Sequence, residues 1–294
     1  MDGVGALQGN GISITGDGSA VYAAGEFWTG SERDLYLAKL DPSGGTRIWE
    51  TIVANPGEDN AKQLIYQGGT LYMVGSLMDN TGKFVAALLN FDPVTGRENW
   101  RQTLSGAGGG RGEIVAPSGS NGVVWAGTVS NADPDIFVQK VRSDNTVVFT
   151  SNLRGTAPAG AQYVGALLDN GVITLLGSSP QPGHSGSQIT VFRLDALGNL
   201  QSATILPGAG GGDSQVRGAV MDASGTIFGA GLYSTAAGDN AIIFAFGNSS
   251  TSGGGGGACQ MTGAPASIPS GIVSVLILLL PGGILAARRK WFIR

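Results

Sequence analysis

Short apolar runs that close on a glycine recur along this chain. They read VYAAGEF at 21–27, LYMVGSL at 71–77, VVWAGTV at 123–129, ITLLGSS at 173–179 and IFGAGLY at 227–233. Their glycines, Gly25, Gly75, Gly127, Gly177 and Gly231, stand 50, 52, 50 and 54 residues apart. A polar turn precedes each run: GDGS, QGGT, SGSNG, DNG and DASG. Before each turn lies another β-rich stretch, such as AKQLIY, GEIVAP or VRGAVM. After each run come a polar loop and a second apolar strand, DLYLAKLD, FVAALLNFD, DIFVQKVR, QITVFRLD or AIIFAF. In the first four copies a further turn (DPSGG, DPVTG, SDN, DALGN) leads into a fourth strand, RIWETI, ENWRQTL, VVFTSNL or LQSATIL. Turn residues between β-branched and aromatic runs are the chemistry of hairpins.

The pattern predicts units near 10–58, 59–110, 111–160, 161–213 and 214–246, each a meander of four short strands, with the fifth ending at Phe246 before its last strand. Gly- and Ala-rich stretches such as SGAGGGRG and LPGAGGGDS read as connectors between units. A meander repeated every fifty residues or so is the signature of β-propeller blades. A β-sandwich has no reason to hold that register, and the body shows no sustained 3.6-residue apolar period. The expected fold class is therefore all-β, a propeller of about five four-stranded repeats over residues 1–246.

One stretch carries more. VYAAGEFWTGSERDLYLAKLDPSGGTRIWETI resembles the SBBP repeats of bacterial seven-bladed propeller proteins: a strand ending in Gly, a polar loop, a strand ending Lys-Leu-Asp, a Ser-Gly turn and a Trp. The resemblance covers about residues 10–246; in the fourth unit Arg193 replaces the Lys and Gln201 stands near the Trp position. FDPVTGRENWRQ is also similar to the repeat of pyrroloquinoline-quinone-type propellers. The resemblance implies a bacterial exported protein and a ring of up to seven blades. Met1 is not followed by a charged-then-apolar leader, so the expectation is the C-terminal part of a longer exported protein. The alternative is a five-bladed ring closed by residues 2–8.

The pattern changes at Gly247. Residues 247–269 are a Gly/Ser-rich linker carrying Cys259, the only cysteine, just after Gly253–Gly257 and Ala258. Residues 270–287, SGIVSVLILLLPGGILAA, are uncharged and mostly aliphatic, and 288–294 carry Arg288, Arg289, Lys290 and Arg294. Eighteen helical residues reach about 27 Å, enough for a thin hydrocarbon core. The basic cluster predicts a cytoplasmic C-terminus, with the propeller on the extracytoplasmic side of the cell envelope. Linker, motif, span and basic cluster together resemble the C-terminal sorting signals of bacterial surface proteins, those with a Gly run before Cys above all. That resemblance implies a sorting protease or transpeptidase as partner, with Gly257 and Cys259 as the processing or lipidation residues. A thiol in an unhindered segment is open to such chemistry.

Charge narrows the partners. All 21 acids lie at or before Asp239, and the tail holds four of the 17 Lys and Arg residues, so the body carries 13 basic side chains. An acidic body disfavours nucleic acid, whose phosphates need a basic surface. One cysteine excludes an intramolecular disulfide or a multi-cysteine metal site. His184, the only histidine, sits among Pro, Gly and Ser and reads as a solvent-exposed loop residue. Asp41–Gly44, Asp195–Gly198 and Asp222–Gly225 read as hairpin turns rather than Ca²⁺ loops, lacking dense alternating oxygen ligands. GAGGGR and GAGGGD are not followed by Lys-Ser/Thr and are not phosphate loops. Tyr22, Tyr72, Trp125, Trp49 and Trp100 fall at repeat-related positions and read as blade packing. No catalytic residue, metal ligand or cofactor site is expected. Phe27 and Trp28, in the loop FWTGSERD, are the candidates for contact with a glycan or protein ligand. The expected role is a binding or structural module; a quinoprotein-type enzyme, or a lyase or glycosidase with paired carboxylates, is the alternative.

Overall fold

The computed structural model describes residues 13–131, 134–153, 163–180, 186–206, 213–222, 225–235 and 238–246. In them, strands consecutive in sequence pair antiparallel into five sheets. Blade 1 holds β1 (Ser13–Gly16), β2 (Val21–Trp28), β3 (Arg33–Leu40) and β4 (Arg47–Val53). Blade 2 holds β5 (Asn60–Gln67), β6 (Thr70–Met78), β7 (Phe84–Phe91) and β8 (Glu98–Leu104). Blade 3 holds β9 (Gly109–Pro117), β10 (Gly122–Ser130), β11 (Pro134–Arg142) and β12 (Val147–Leu153). Blade 4 holds β13 (Tyr163–Asp169), β14 (Ile173–Pro180), β15 (Ser187–Leu194) and β16 (Leu200–Leu206). Blade 5 has three strands, β17 (Ser214–Met221), β18 (Ile227–Thr235) and β19 (Gly238–Phe246).

The first strands of successive blades lie side by side: β1 on β5, β5 on β9, β9 on β13 and β13 on β17. Among the described residues no comparable contact joins β17 to β1. The fold is a β-propeller, with its blades in an arc around the inner strands.

The core lies between blades, which explains the near-continuous apolar runs. Along β6, Leu71 and Met73 pack with Tyr22 and Leu37 of blade 1. The alternate residues Tyr72 and Val74 pack with Trp125 and Phe137 of blade 3. Val124 and Val138 then meet Leu175 and Phe192, and Leu176 and Val191 meet Ile242 and Phe244. Successive side chains of a strand point to opposite faces, so a strand with a neighbour on each side must be apolar throughout. Each such side chain contributes about 1.5–3 kcal/mol when buried.

The outer strands add a directional clasp. Thr51 Oγ1 of β4 donates to the Gly96 carbonyl, 2.7 Å away in the β7–β8 turn of the next blade. Gln102 Nε2 of β8 reaches the Asn145 side chain at 2.7 Å, and Ser151 Oγ of β12 reaches the Gly198 carbonyl at 2.6 Å. Trp49 Nε1 donates to Pro93 O at 3.3 Å and Trp100 Nε1 to Ser143 O at 3.0 Å, again one blade onward. The turns themselves are closed by aspartates: Asp92 Oδ1 accepts from Val94 N at 2.7 Å and Asp195 Oδ1 from Leu197 N at 2.9 Å. Asp41 does the same for Ser43 N at 2.7 Å. These are Asx turns, the role expected of them.

One expectation changes. The glycine run in SGAGGGRG is not a connector outside the units, because Gly109–Gly112 already form the start of β9 and pair with Gly127–Ser130. The reason is close packing. A Cβ on Gly110 would lie 2.6 Å from Leu104 O, and one on Gly112 would lie 2.5 Å from Gly75 O. Blade 3 can approach blade 2 only where its backbone carries no side chain.

Candidate functional site

Four inner strands carry the same irregularity. In β5, Ala61 and Gln63 pair with the adjacent residues Gly75 and Val74, leaving Lys62 as an extra residue. Glu113 is extra in β9, between partners of Gly127 and Ala126. Gly165 is extra in β13, beside Gly177, and Arg217 in β17, beside Gly231. Each is a β-bulge, which re-aims one side chain out of the ladder. The glycine opposite is what permits it. A Cβ on Gly75, Gly127 or Gly231 would run into the backbone oxygen of Asn60, Arg111 or Gln215, two residues before the bulged one. Gly25 pairs with Tyr36 on β3, and its inner-strand side lies outside the described residues.

The bulged side chains share one space. Lys62, Glu113 and Arg217 line a cavity of about 430 Å³ between the inner strands of blades 2 to 5, with Gly165 among its walls. Lys62 also lines two neighbouring clefts: one of about 640 Å³ with Lys83, Phe84 and Arg111, and one of about 240 Å³ with Arg33, Asp59 and Phe84. Burial pushes the Glu113 carboxyl above its ordinary range, while the charges of Lys62 and Arg111 pull it back. The Arg111 guanidinium lies 5.2 Å from the Phe84 ring centre, a cation–π contact.

Where blades 1 and 2 meet, three buried carboxyls gather, Glu26, Asp34 and Asp59. Burial raises all three above their usual range, and the charges of Asp59 and Glu32 raise Asp34 further. Asp59 accepts from Met78 N at 2.9 Å and from Asn55 Nδ2 at 2.8 Å. Glu26 accepts from Asn60 Nδ2 at 2.6 Å, and its other oxygen lies 3.6 Å from Arg33. Arg33 is held in turn by Glu58 at 2.8 Å. These carboxyls tie strands together: Asp59 is occupied by backbone and amide donors and Glu26 Oε1 by an amide, while Glu26 Oε2 and Asp34 Oδ1 have no hydrogen-bond partner. Among the described residues no group of three or more His, Cys, Asp or Glu is arranged to hold a metal ion.

Phe27 and Trp28 belong to the end of β2, opposite Asp34 and Arg33, rather than to the loop beyond it. Phe27 is half-buried, its ring 6.3 Å from that of Tyr36. The structure does not bring them together with Lys62 and Arg111 in any of the three cavities. Trp125 is fully buried and donates to Gln139 Oε1 at 2.9 Å; Tyr22 is fully buried with its hydroxyl 3.0 Å from Asp17 Oδ2. Gly257, Cys259, the span 270–287 and His184 lie outside the described residues. Among the described residues, no helix is long and apolar enough to cross a membrane. The sequence reading passed over Lys62, Arg111, Glu113 and Arg217. The available signal was a charge early in the first strand of three units, in AKQLIY, GEIVAP and VRGAVM.

No family model matches the sequence, and no curated protein does either. Solved structures do match the fold. A neuraminidase-like protein from A/bat/Guatemala/164/2009 superposes with a TM-score of 0.52 at 14% identity, covering 82% of this chain and 73% of that one. The β-propeller domain of the Trilobed protease from Pyrococcus furiosus, described as having an open velcro topology, gives a TM-score of 0.51 at 7% identity, covering 82% and 70%. At such identities the likeness is one of fold: the chain shares the β-propeller architecture of these proteins.

Proposed function

We propose that this chain is a non-catalytic binding propeller of the SBBP-repeat kind, displayed at a bacterial cell surface or secreted, and delivered by its C-terminal sorting signal. The observation that carries the binding reading is the convergence of the bulged side chains Lys62, Glu113 and Arg217 on one open polar cavity. Bulges of this kind interrupt the ladder, and they are common beside functional sites, where they re-aim a side chain. The delivery reading rests on the order of linker, Cys259, apolar span 270–287 and basic cluster. In it, the span holds the propeller on the extracytoplasmic side until a sorting protease or transpeptidase acts at Gly257 or Cys259. Phe27 and Trp28 remain proposed as a secondary contact for a glycan or protein ligand.

The enzyme alternative has one observation in its favour, the raised carboxyls Glu26, Asp34 and Asp59 at the junction of blades 1 and 2. A glycosidase needs one carboxyl free to protonate and a second free to attack or to activate water. Asp59 is instead committed to Asn55 and Met78 and Glu26 Oε1 to Asn60, and all three carboxyls are buried rather than open to a substrate, which supports the binding reading. A glycan array run beside reducing-sugar and dye-linked oxidation assays tests both. Retention without turnover is expected; turnover of any retained ligand would overturn the non-catalytic role. Intact mass of the cell-derived protein tests delivery, since an unmodified full-length chain would remove the sorting proposal.

A further inference from the structure

We propose that Lys62 and Arg111 form a subsite for an oxyanion, the carboxylate, sulfate or phosphate group of the ligand, in the clefts beside the central cavity. The inference rests on the reading of this cavity as a ligand site and names the chemistry it takes.

Cations on this protein are ordinarily engaged. Arg33 is paired with Glu58, Arg101 with Glu98 and Lys140 with Asp169. Lys39 Nζ donates to Pro93 O at 3.2 Å and Lys83 Nζ to Ala107 O at 2.7 Å. Lys62, Arg97, Arg111 and Arg142 differ, and of these only Lys62 and Arg111 line the central clefts. Among the described residues, neither of these two side chains makes a hydrogen bond or ion pair; Arg111 has the Phe84 ring and the field of Glu113, and Lys62 the fields of Glu26 and Glu113. Both line the two clefts of about 640 and 240 Å³. Two positive groups on one concave wall, with unfilled donors, constitute an unmet demand for negative charge, and a cleft focuses that field.

Their placement is built in rather than incidental. Lys62 is the bulged residue of β5, made possible by Gly75. Arg111 precedes the β9 bulge by two residues, opposite Thr128, and its carbonyl is the one that Gly127 accommodates. Phe84 supports the guanidinium without using its N–H donors, which remain to form the fork that donates to carboxylates, sulfates and phosphates. Glu113 sets the sign of a further test. Its carboxylate feels both cations and opposes an incoming anion, so neutralising it strengthens the subsite.

The experiment is a calorimetric titration of the full chain at low ionic strength with glucuronate, inorganic sulfate and inorganic phosphate, against uncharged glucose. The expected result is binding of at least one anion, weakened about tenfold or more in Lys62→Gln and in Arg111→Gln, the loss of one charge-assisted hydrogen bond. Glu113→Gln binds it more tightly, and Arg97→Gln, on an outer turn, is unchanged. The arms separate a sugar acid from an inorganic or ester anion. Binding that persists at full strength in both cation variants would overturn the proposal. So would binding of glucose alone, although the cavity would then still be a ligand site. Chemical conversion of a bound anion would sink the non-catalytic reading and leave the subsite standing. Lys62 is exposed, so its variant reports on the subsite even if Arg111→Gln unfolds.

Discussion

Blades 2 and 5 are built from the same repeat, yet their central strands are buried differently. Every residue of β6 from Leu71 to Leu77 is buried. On β18 the first five alternate: Ile227, Gly229 and Gly231 are buried, whereas Phe228 is 44% exposed and Ala230 is exposed too. Ile243 of β19 is 56% exposed and Val220 of β17 is 67% exposed, beside Phe228 in the same blade. Blade 2 has neighbours on both faces, blade 5 on one among the described residues. Identical backbone pairing therefore carries unequal packing energy, set by what lies alongside the sheet and not by the sheet itself.

Deleting an aromatic from each kind of face should separate the two blades most. Trp125→Ala, between blades 2 and 3, is expected to cost about 3–5 kcal/mol of unfolding free energy. Phe228→Ala, on the exposed face of blade 5, is expected to stay within about 0.5 kcal/mol. Urea unfolding of the two variants checks this, and equal losses would show that blade 5 is covered.

Adding a methyl group should distinguish the regions next. Gly75→Ala drives a Cβ into Asn60 O at the bulge and should destabilise by about 1–3 kcal/mol. Gly218→Ala, which meets nothing within 4 Å, should be close to neutral. Thermal unfolding resolves the pair. The clasp gives a smaller contrast. Thr51→Val loses the bond to Gly96 and should cost about 0.5–1.5 kcal/mol. Thr204 stands at the equivalent place on β16, opposite Val191, where blade 5 offers no described fourth-strand turn, and Thr204→Val should change little.

The smallest effect concerns pH. Hydrogen bonds from Ser19, Ala20 and Tyr22 hold the Asp17 carboxyl down to about 2, against 3.8 in the unfolded chain. A depressed carboxylate contributes stability that is present above 3.8 and lost as pH falls toward 2. Asp17→Asn should therefore show a shallower decline of the urea midpoint between pH 4 and pH 2 than the parent. An unchanged slope would remove Asp17 from the account.

The repeat period and the strand order within each blade were legible in the sequence. Hydrophobic runs and Asp-Gly turns are local signals, and their causes are local. The bulges were not legible, because a bulge depends on two strands meeting around Gly75, Gly127 or Gly231. The run at Gly109–Gly112 misled for a related reason: glycine is read as slack, whereas here it permits backbone to touch backbone. Lys62 and Arg111 escaped notice because each is an isolated charge in a strand. Only the packing of blade 3 against blade 2 brings them to one wall.

The clasps between outer strands and succeeding turns all run the same way along the chain. The three joints from blade 1 to blade 4 thus each pair a hook on one repeat with an eye on the next. Copying a whole repeat into the series would supply a matching hook and eye, and removing one would leave the remaining links intact. A propeller assembled by this rule can change size across evolutionary time by entire units, without redesign of any single joint.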